Sequence, residues 1–108
     1  MPPSPTVVVV LVTAPNRRVG EALGRALVEE RLAACVNLVP GLTSLYRWEG
    51  KLHRDREVLL LIKTRRSRCQ RLMTRVVSLH PYTTAEILAL PVIAGSGRYL
   101  AWVADSTR

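Results

Sequence analysis

Two cysteines and two histidines are the residues of this chain best suited to nucleophilic catalysis or to binding a soft metal. They are Cys35, Cys69, His53 and His80, and Cu(I) prefers such sulfur and nitrogen donors. No two of them stand at the short spacing of a zinc site, so a metal would have to gather ligands from distant positions or from two subunits. Each cysteine lies in an apolar pattern, which favours its interpretation as a small buried hydrophobic residue.

The carboxylates and glycines give little support for catalysis. Glu49 lies in a turn and is interpreted as a surface residue, whereas Glu86 follows a turn and could face a pocket. Nothing in the spacing brings these two, or Glu57, together as an acid–base pair, and the sequence has no Gly-x-Ser-x-Gly nucleophile motif. Gly95-Ser96-Gly97 precedes a helix and could hold an anion, but a dinucleotide fingerprint needs a third glycine. We therefore predict a turn there and no catalytic residue.

Positive charge is the unusual feature of the composition. The 16 Lys and Arg residues exceed the 8 Asp and Glu residues, and the formal net charge is +8. Such a balance permits attraction to nucleic acid, yet the arginines are spread along the chain and cluster only at Arg65, Arg66 and Arg68. No nucleic-acid-binding motif or set of stacking aromatic residues accompanies them. We interpret them as solvated surface residues, with a nucleic-acid partner as the disfavoured alternative.

The apolar runs are too short for a membrane span. The longest, residues 7–12 and 58–62, are of strand length, whereas a span needs about 20 residues. The first five residues lack the basic start of a signal peptide, and we expect a short disordered lead there. Two cysteines form at most one disulfide and fit a reducing compartment. These observations predict a cytoplasmic protein with no membrane partner.

Hydrophobic periodicity predicts the order of the helices and strands. Asn16 is a plausible N-cap for the first helix. Ser67 with Gln70 matches a capping box for the second helix. The inner face of this second helix would carry Cys69, Leu72, Met73, Val76 and Val77. Pro40-Gly41 predicts a bulge, and Pro91 an edge strand or bulge. The predicted strands are 6–13, 34–39, 42–48, 52–62 and 84–93, and the helices run from Asn16 to about Leu32, from Ser67 to before Pro81, and over 98–104.

This order predicts an α+β fold. Two β-α-β halves joined by an antiparallel hairpin describe a ferredoxin-like βαββαβ sheet with its helices on one face, followed by a C-terminal helix. The whole of residues 6–108 is expected to form one domain, with residues 1–5 as its lead. The other face of the sheet also needs cover, and in so short a chain the obvious cover is another copy of itself.

Several stretches of the chain resemble the CutA family of divalent-cation tolerance proteins. They are VVVLVTAP at 8–15, LAACVNLVPGLTSLYRWEGK at 32–51, EVLLLIKT at 57–64, HPY at 80–82 with AEI at 85–87, and YLAW at 99–102. Together they extend over almost the whole chain, in order and at the spacing of the family. The resemblance implies a ferredoxin-like fold assembled as a homotrimer, with a PII-like architecture in which long hairpins extend the sheets of neighbouring subunits.

The resemblance also implies a role in tolerance of divalent cations, especially copper. In some bacterial relatives copper ligands are assigned to a Cys before the Thr-Ala-Pro turn and to a His pair before the Pro-Tyr. The first position is Val12 here, and the pair is Leu79-His80. His80 is therefore the only candidate metal ligand that the resemblance carries to this chain, and copper or another divalent cation is the only cofactor implied.

The sequence as a whole predicts a non-enzymatic, homotrimeric CutA-type protein that responds to metal ions and binds a metal ion or a small molecule. The predicted ligand cleft is formed by Tyr46, Trp48, Lys63, His80, Tyr82 and Glu86. In this cleft Glu86 could pair with Lys63 or accept a hydrogen bond from Tyr82. An enzyme with a pocket at the subunit interface and a basic nucleic-acid-associated protein are the two alternatives.

Overall fold

The computed structural model describes residues 6–108; the predicted disordered lead, residues 1–5, lies outside them. Within residues 6–108, three helices and four strands follow one another, with one short 3-10 turn, Arg66–Arg68, before the second helix. The elements are β1 (Val7–Ala14), α1 (Arg17–Glu29), β2 (Cys35–Trp48), β3 (Lys51–Arg65), α2 (Cys69–Leu79), β4 (Ile87–Pro91) and α3 (Gly97–Ser106).

The four strands form one antiparallel sheet in the order β2-β3-β1-β4. The hairpin β2-β3 therefore lies on one side of β1, and β4 returns to the other side. This is the ferredoxin-like arrangement, so the predicted α+β fold is confirmed. Pro91 lies in β4, an edge strand, where its missing N–H removes no hydrogen bond from the interior of the sheet.

The main core lies between one face of the sheet and the helices α1 and α2. Alternate strand residues supply it, because successive side chains of a strand point to opposite faces. Asn16 caps α1 as predicted, and its Oδ1 accepts from the N–H of Val19 at 2.9 Å. Burial of a large aliphatic side chain contributes about 1.5–3 kcal/mol, and the fully or almost fully buried members include Val10, Val12, Leu23, Leu27, Leu60, Ile62, Leu72 and Val76.

The C-terminal helix α3 packs on the opposite face of the sheet. Val103 of α3 is buried against Val7 and Ala34, in a cluster separate from the main core. Arg65 fixes the end of the helix by donating to the Thr107 hydroxyl and carbonyl at 3.0 and 2.5 Å. Because Val7 and Arg65 pair at one end of the sheet, α3 covers that end and leaves the middle of this face open.

The hairpin β2-β3 extends beyond the rest of the sheet. β1 pairs with β3 only over residues 58–65, so within the described chain residues 51–57 of β3 pair with β2 alone. We call this two-stranded extension, residues 42–57, the arm. It begins at a register shift between Val39 and Leu42, which confirms the predicted bulge at Pro40-Gly41, and Gly41 has a φ of 79° there.

Three local predictions were wrong. Ser67 does not cap α2, because residues 66–68 already turn as a 3-10 helix and Arg68 becomes the N-cap, with no side-chain cap bond. Val77 is exposed because it lies on the outer side of α2. The last strand is shorter than 84–93, since β4 pairs only with residues 8–12 of β1 and the chain before Ile87 must first travel from the end of α2 to the sheet edge.

Candidate functional site

Acidic and basic residues of β3 lie on opposite faces of the arm. Arg54, Asp55, Arg56 and Glu57 alternate along β3, so both carboxylates project from one face and both arginines from the other. The register pairs Ser44 with Asp55 across the two strands. The same alternation places Lys51 on this face at the tip of the arm, where it pairs with Trp48. In a chain of net charge +8, this face is therefore acidic only around Asp55 and Glu57.

Aromatic residues of β2 lie on the same acidic face. Tyr46 pairs with His53 and stacks on it, with ring centroids 5.3 Å apart and planes 13° from parallel. The Tyr46 hydroxyl donates a hydrogen bond to Asp55 Oδ2. Trp48, two residues further along β2, follows on this face just before the turn that ends the arm. The strand pairing therefore places Tyr46, His53, Asp55 and Trp48 side by side on one face of the arm.

Tyr82 reaches this face from the loop between α2 and β4. Its hydroxyl donates to Glu57 Oε2 at 3.0 Å, and Glu57 is only 9% exposed. Ala14 pairs with Val58 at the end of β1, so Glu57 lies where β1 has just ended. The loop carrying Tyr82 thus occupies the end of β1 and links it to the base of the arm.

His80 holds this loop in place through both nitrogens of its ring. Nδ1 accepts from the Tyr82 N–H at 3.1 Å, so Nε2 carries the proton and donates to the Thr13 carbonyl at 2.7 Å. The ring is 8% exposed and lies 4.6 Å from the Tyr82 ring, centroid to centroid. A metal bound to His80 would therefore have to replace one of these two hydrogen bonds.

A cavity of about 230 Å³ lies between the arm and this loop. Three aromatic rings, one carboxylate and two hydroxyl-bearing residues line it: Tyr46, Trp48, Tyr82, Asp55, Thr83 and Thr84. We call it the arm cavity. Among the predicted cleft residues it brings together Tyr46, Trp48 and Tyr82, with His80 directly behind Tyr82.

Carboxylates determine the electrostatics of the arm cavity. The hydrogen bond to Asp55 is the main cause of the raised pKa of Tyr46. Burial, followed by the bond to Glu57, raises the pKa of Tyr82 to about 12. Asp55 and Glu57 both add to each of these shifts. Both phenols are therefore neutral donors at physiological pH, and the field they experience is negative.

Lys63 and Glu86 lie outside the arm cavity. Lys63 is near the other end of β3, where its ammonium donates to Asn37 Oδ1. Glu86 is exposed beside the start of β4. The suggested pairing of Glu86 with Tyr82 or Lys63 was wrong, because Glu57 accepts from Tyr82 and Asn37 accepts from Lys63. A contribution of these two residues to a ligand cleft stays a prediction.

Sequence reasoning missed Asp55, Thr83 and Thr84, and it gave Glu57 no role in the cleft. The alternation of sign over residues 54–57 was the available signal, because a period of two in a strand places like charges on one face. The threonines gave no such signal, since they lie in an irregular loop whose path is set by His80 and Tyr82.

The cysteines lie apart from the arm cavity. Cys35 is half-buried at the start of β2 with its Sγ 3.6 Å from Asn37 Oδ1. Burial raises the pKa of the Cys69 thiol, which lies in a groove beside Met73. Within residues 6–108, no three His, Cys, Asp or Glu side chains come close enough together to hold a metal ion. No helix in that range is both long and apolar enough to cross a bilayer.

Comparison with known proteins agrees with this fold. The sequence profile of the CutA1 divalent ion tolerance protein family matches residues 8–106. The divalent-cation tolerance protein CutA of Thermus thermophilus is 54% identical over 99 residues, which are 92% of this chain and 96% of that protein. The chloroplastic CutA protein of Arabidopsis thaliana is 50% identical over 101 residues, 94% of this chain but only 56% of that protein's length.

A solved structure of the Thermus thermophilus divalent cation tolerance protein superposes with a TM-score of 0.92 at 52% identity, covering 94% of this chain and 99% of that one. Sequence and structure thus agree over nearly the whole chain. This chain belongs to the CutA1 divalent ion tolerance family, and the predicted resemblance is confirmed.

Proposed function

We propose that this protein is a non-enzymatic homotrimer of the CutA type that takes part in the response to divalent metal ions, copper among them, by binding a ligand next to its arm. The arm cavity carries this proposal, because it joins the most exposed part of the sheet to a cluster of fixed polar groups. The Thermus thermophilus relative bears the name of divalent-cation tolerance.

Exposed strand edges and an open sheet face support the trimer. A two-stranded ribbon is only marginally stable alone, and unpaired edges tend to pair with another chain. The arm also carries exposed leucines, Leu45 at 66% and Leu52 at 75%. On the sheet face that α3 leaves open, Leu88 and Leu90 of β4 are about half exposed. Three copies related by symmetry would bury both surfaces.

Light scattering during size-exclusion chromatography tests the trimer. At micromolar concentration we expect a mass three times that of the 12.0 kDa chain. A mass equal to a single chain would overturn the trimer.

Copper binding is proposed at His80, the one candidate ligand that this chain retains. Val12, fully buried in the main core, and Leu79 have no donor atoms. Since both nitrogens of His80 are already bonded, we expect weak binding that depends on this ring. Calorimetric titration of Cu(I) and Cu(II) into the native protein and a His80→Ala variant tests it. Tight stoichiometric binding that survives the substitution would show that the site lies elsewhere.

The protonation of the candidate nucleophiles supports a role without catalysis. Burial keeps the Cys69 thiol protonated at neutral pH, and the phenols of Tyr46 and Tyr82 are held neutral as donors. Incubation with ester, phosphate-ester and peptide substrates is expected to give no turnover above background. Turnover that is lost on substitution of an arm-cavity residue would favour the enzyme alternative.

Two arginines of the cluster form hydrogen bonds within the chain, and this supports a protein that does not bind nucleic acid. Arg68 Nε donates to the Thr107 carbonyl at 2.7 Å, and Arg65 donates to the same oxygen. Two of the three clustered arginines therefore fix the end of α3. Retention on a nucleic-acid column at physiological salt would count against the absence of a nucleic-acid partner.

We also propose a cytoplasmic location, although the Arabidopsis thaliana relative is named as chloroplastic.

A further inference from the structure

The arm cavity has a composition that suits a positively charged organic ligand. Its walls are the rings of Tyr46, Trp48 and Tyr82, and its polar groups are the Asp55 carboxylate and two threonines. A cation over the face of an aromatic ring is attracted by the ring quadrupole, and Trp and Tyr are the strongest partners. We propose that the arm cavity binds a small organic ammonium ion. This inference rests on the proposed function, in which the cavity is a ligand site.

The charge around the cavity favours a cation over an anion. Asp55 and Glu57 project to this side of the arm, whereas Arg54 and Arg56 project to the other side because of the strand alternation. Lys51 is also on this side, but it pairs with Trp48 at the tip of the arm, four residues from Asp55, and does not line the cavity. Among the described residues neither carboxylate forms a salt bridge. The hydrogen bond that Asp55 accepts in residues 6–108 comes from a neutral phenol, so no ion pair in that range offsets its negative charge.

The size of the cavity favours a small ligand. Its volume of about 230 Å³ is below the roughly 300–1,000 Å³ typical of sites for drug-sized molecules. The raised pKa values of Tyr46 and Tyr82 agree with the negative field. Both phenols use their hydrogens on Asp55 and Glu57, so they present ring faces and oxygen lone pairs to a ligand rather than free donors.

Titration with choline and its neutral isostere 3,3-dimethylbutan-1-ol tests the class of ligand. The two compounds match in shape and differ in the charge of one atom, so only the cation should bind. The readout is the indole N–H signal in ¹H–¹⁵N NMR spectra at constant ionic strength. We expect choline to shift the Trp48 signal saturably and to leave that of Trp102, which lies on α3 away from the cavity, unchanged.

Single substitutions locate the site. Asp55→Asn keeps an acceptor for Tyr46 but removes the charge, and we expect choline to bind about tenfold more weakly. Asp105→Asn removes an exposed carboxylate on α3 that pairs with Arg108, and we expect unchanged binding. Equal affinity for the alcohol, or unchanged affinity in Asp55→Asn, would overturn the preference for a cation while leaving a ligand cavity in place.

Absence of binding by both compounds would overturn the inference completely. That result would leave the trimer and the copper proposals to be judged by light scattering and calorimetry, which do not depend on choline. Conversely, a monomer that still binds choline would refute the proposed trimer and leave the arm cavity as a site contained in one chain.

Discussion

The hydroxyl of Tyr82 donates a hydrogen bond to Glu57 at the base of the arm. This bond joins a loop residue to the arm across 25 positions of sequence, and Glu57 is only 9% exposed, whereas Tyr82 is 37% exposed. A buried carboxylate that loses its donor retains the cost of desolvation without compensation. Tyr82 is therefore expected to matter both for stability and for the shape of the arm cavity.

Tyr82→Phe should lower the free energy of unfolding by about 1–3 kcal/mol, because Glu57 would lose its hydrogen bond in a buried place. Tyr46→Phe is the matched control. It removes a fully exposed hydroxyl bonded to Asp55, so it should cost clearly less than Tyr82→Phe, because water can replace the lost bond. Urea unfolding at equal protein concentration measures both, and a Tyr46→Phe effect as large as that of Tyr82→Phe would contradict the assignment.

The raised pKa of Tyr82 predicts a stability change at high pH. The phenol has an ordinary pKa of 10.0 and a pKa of about 12 in the folded chain, so folding favours its protonated form. This contribution is complete below pH 10 and is lost as the pH rises to about 12. Absorbance at 295 nm should show a tyrosinate phase near pH 12 that is missing in Tyr82→Phe. A native phase confined to pH 10 would contradict it.

Among the elements, the turn between β2 and β3 has an unusual backbone. The hairpin closes through the two residues Glu49 and Gly50, both with positive φ, at 50° and 76°. A two-residue loop with this backbone is most often Asn-Gly, because asparagine and glycine tolerate the left-handed region. Glu49 therefore holds a conformation that its side chain does not favour.

Glu49→Asn should stabilise the protein by about 1 kcal/mol, since the left-handed conformation costs most residues about 1–2 kcal/mol. Gly50→Ala should destabilise it for the same reason. Thermal unfolding measures both changes and must be done at one protein concentration, because assembly makes the midpoint concentration-dependent. A lower midpoint for Glu49→Asn would show that Glu49 makes a contact in the assembly that compensates the backbone cost.

At the scale of the whole molecule, the two faces of the sheet differ in how completely they are covered. Helices α1 and α2 bury one face, while α3 covers one end of the other. The arm extends past both layers with its leucines exposed. The single chain thus leaves apolar surface that an assembly of several copies would remove from water.

Leu52→Lys should weaken the proposed trimer, because it replaces the most exposed leucine of the arm, at 75%, by a charged side chain that is costly to bury. Val77→Lys is the control, since Val77 is also exposed, at 61%, but lies on the outer side of α2. Light scattering over a dilution series should show dissociation at a higher concentration for Leu52→Lys than for Val77→Lys. Equal dissociation of the two variants would remove the arm from the interface.

The type and order of the elements, the ferredoxin-like fold and the bulge at Pro40-Gly41 were all predictable from the amino-acid sequence. These features depend on periodicity and on residues a few positions apart, which act through the local backbone. The sequence also contained the charge alternation of residues 54–57, which places carboxylates on one face of a strand wherever that strand goes.

The contacts between distant side chains were not predictable from the sequence. Tyr82 bonds Glu57 rather than Glu86, and Lys63 bonds Asn37, because strand register and the path of the loop after α2 fix contacts between residues 25 and 26 positions apart. The α3 helix lies opposite α1 and α2 because the buried residues Val7 and Val103 meet there. Such contacts follow from packing of the whole chain, and no local pattern encodes them.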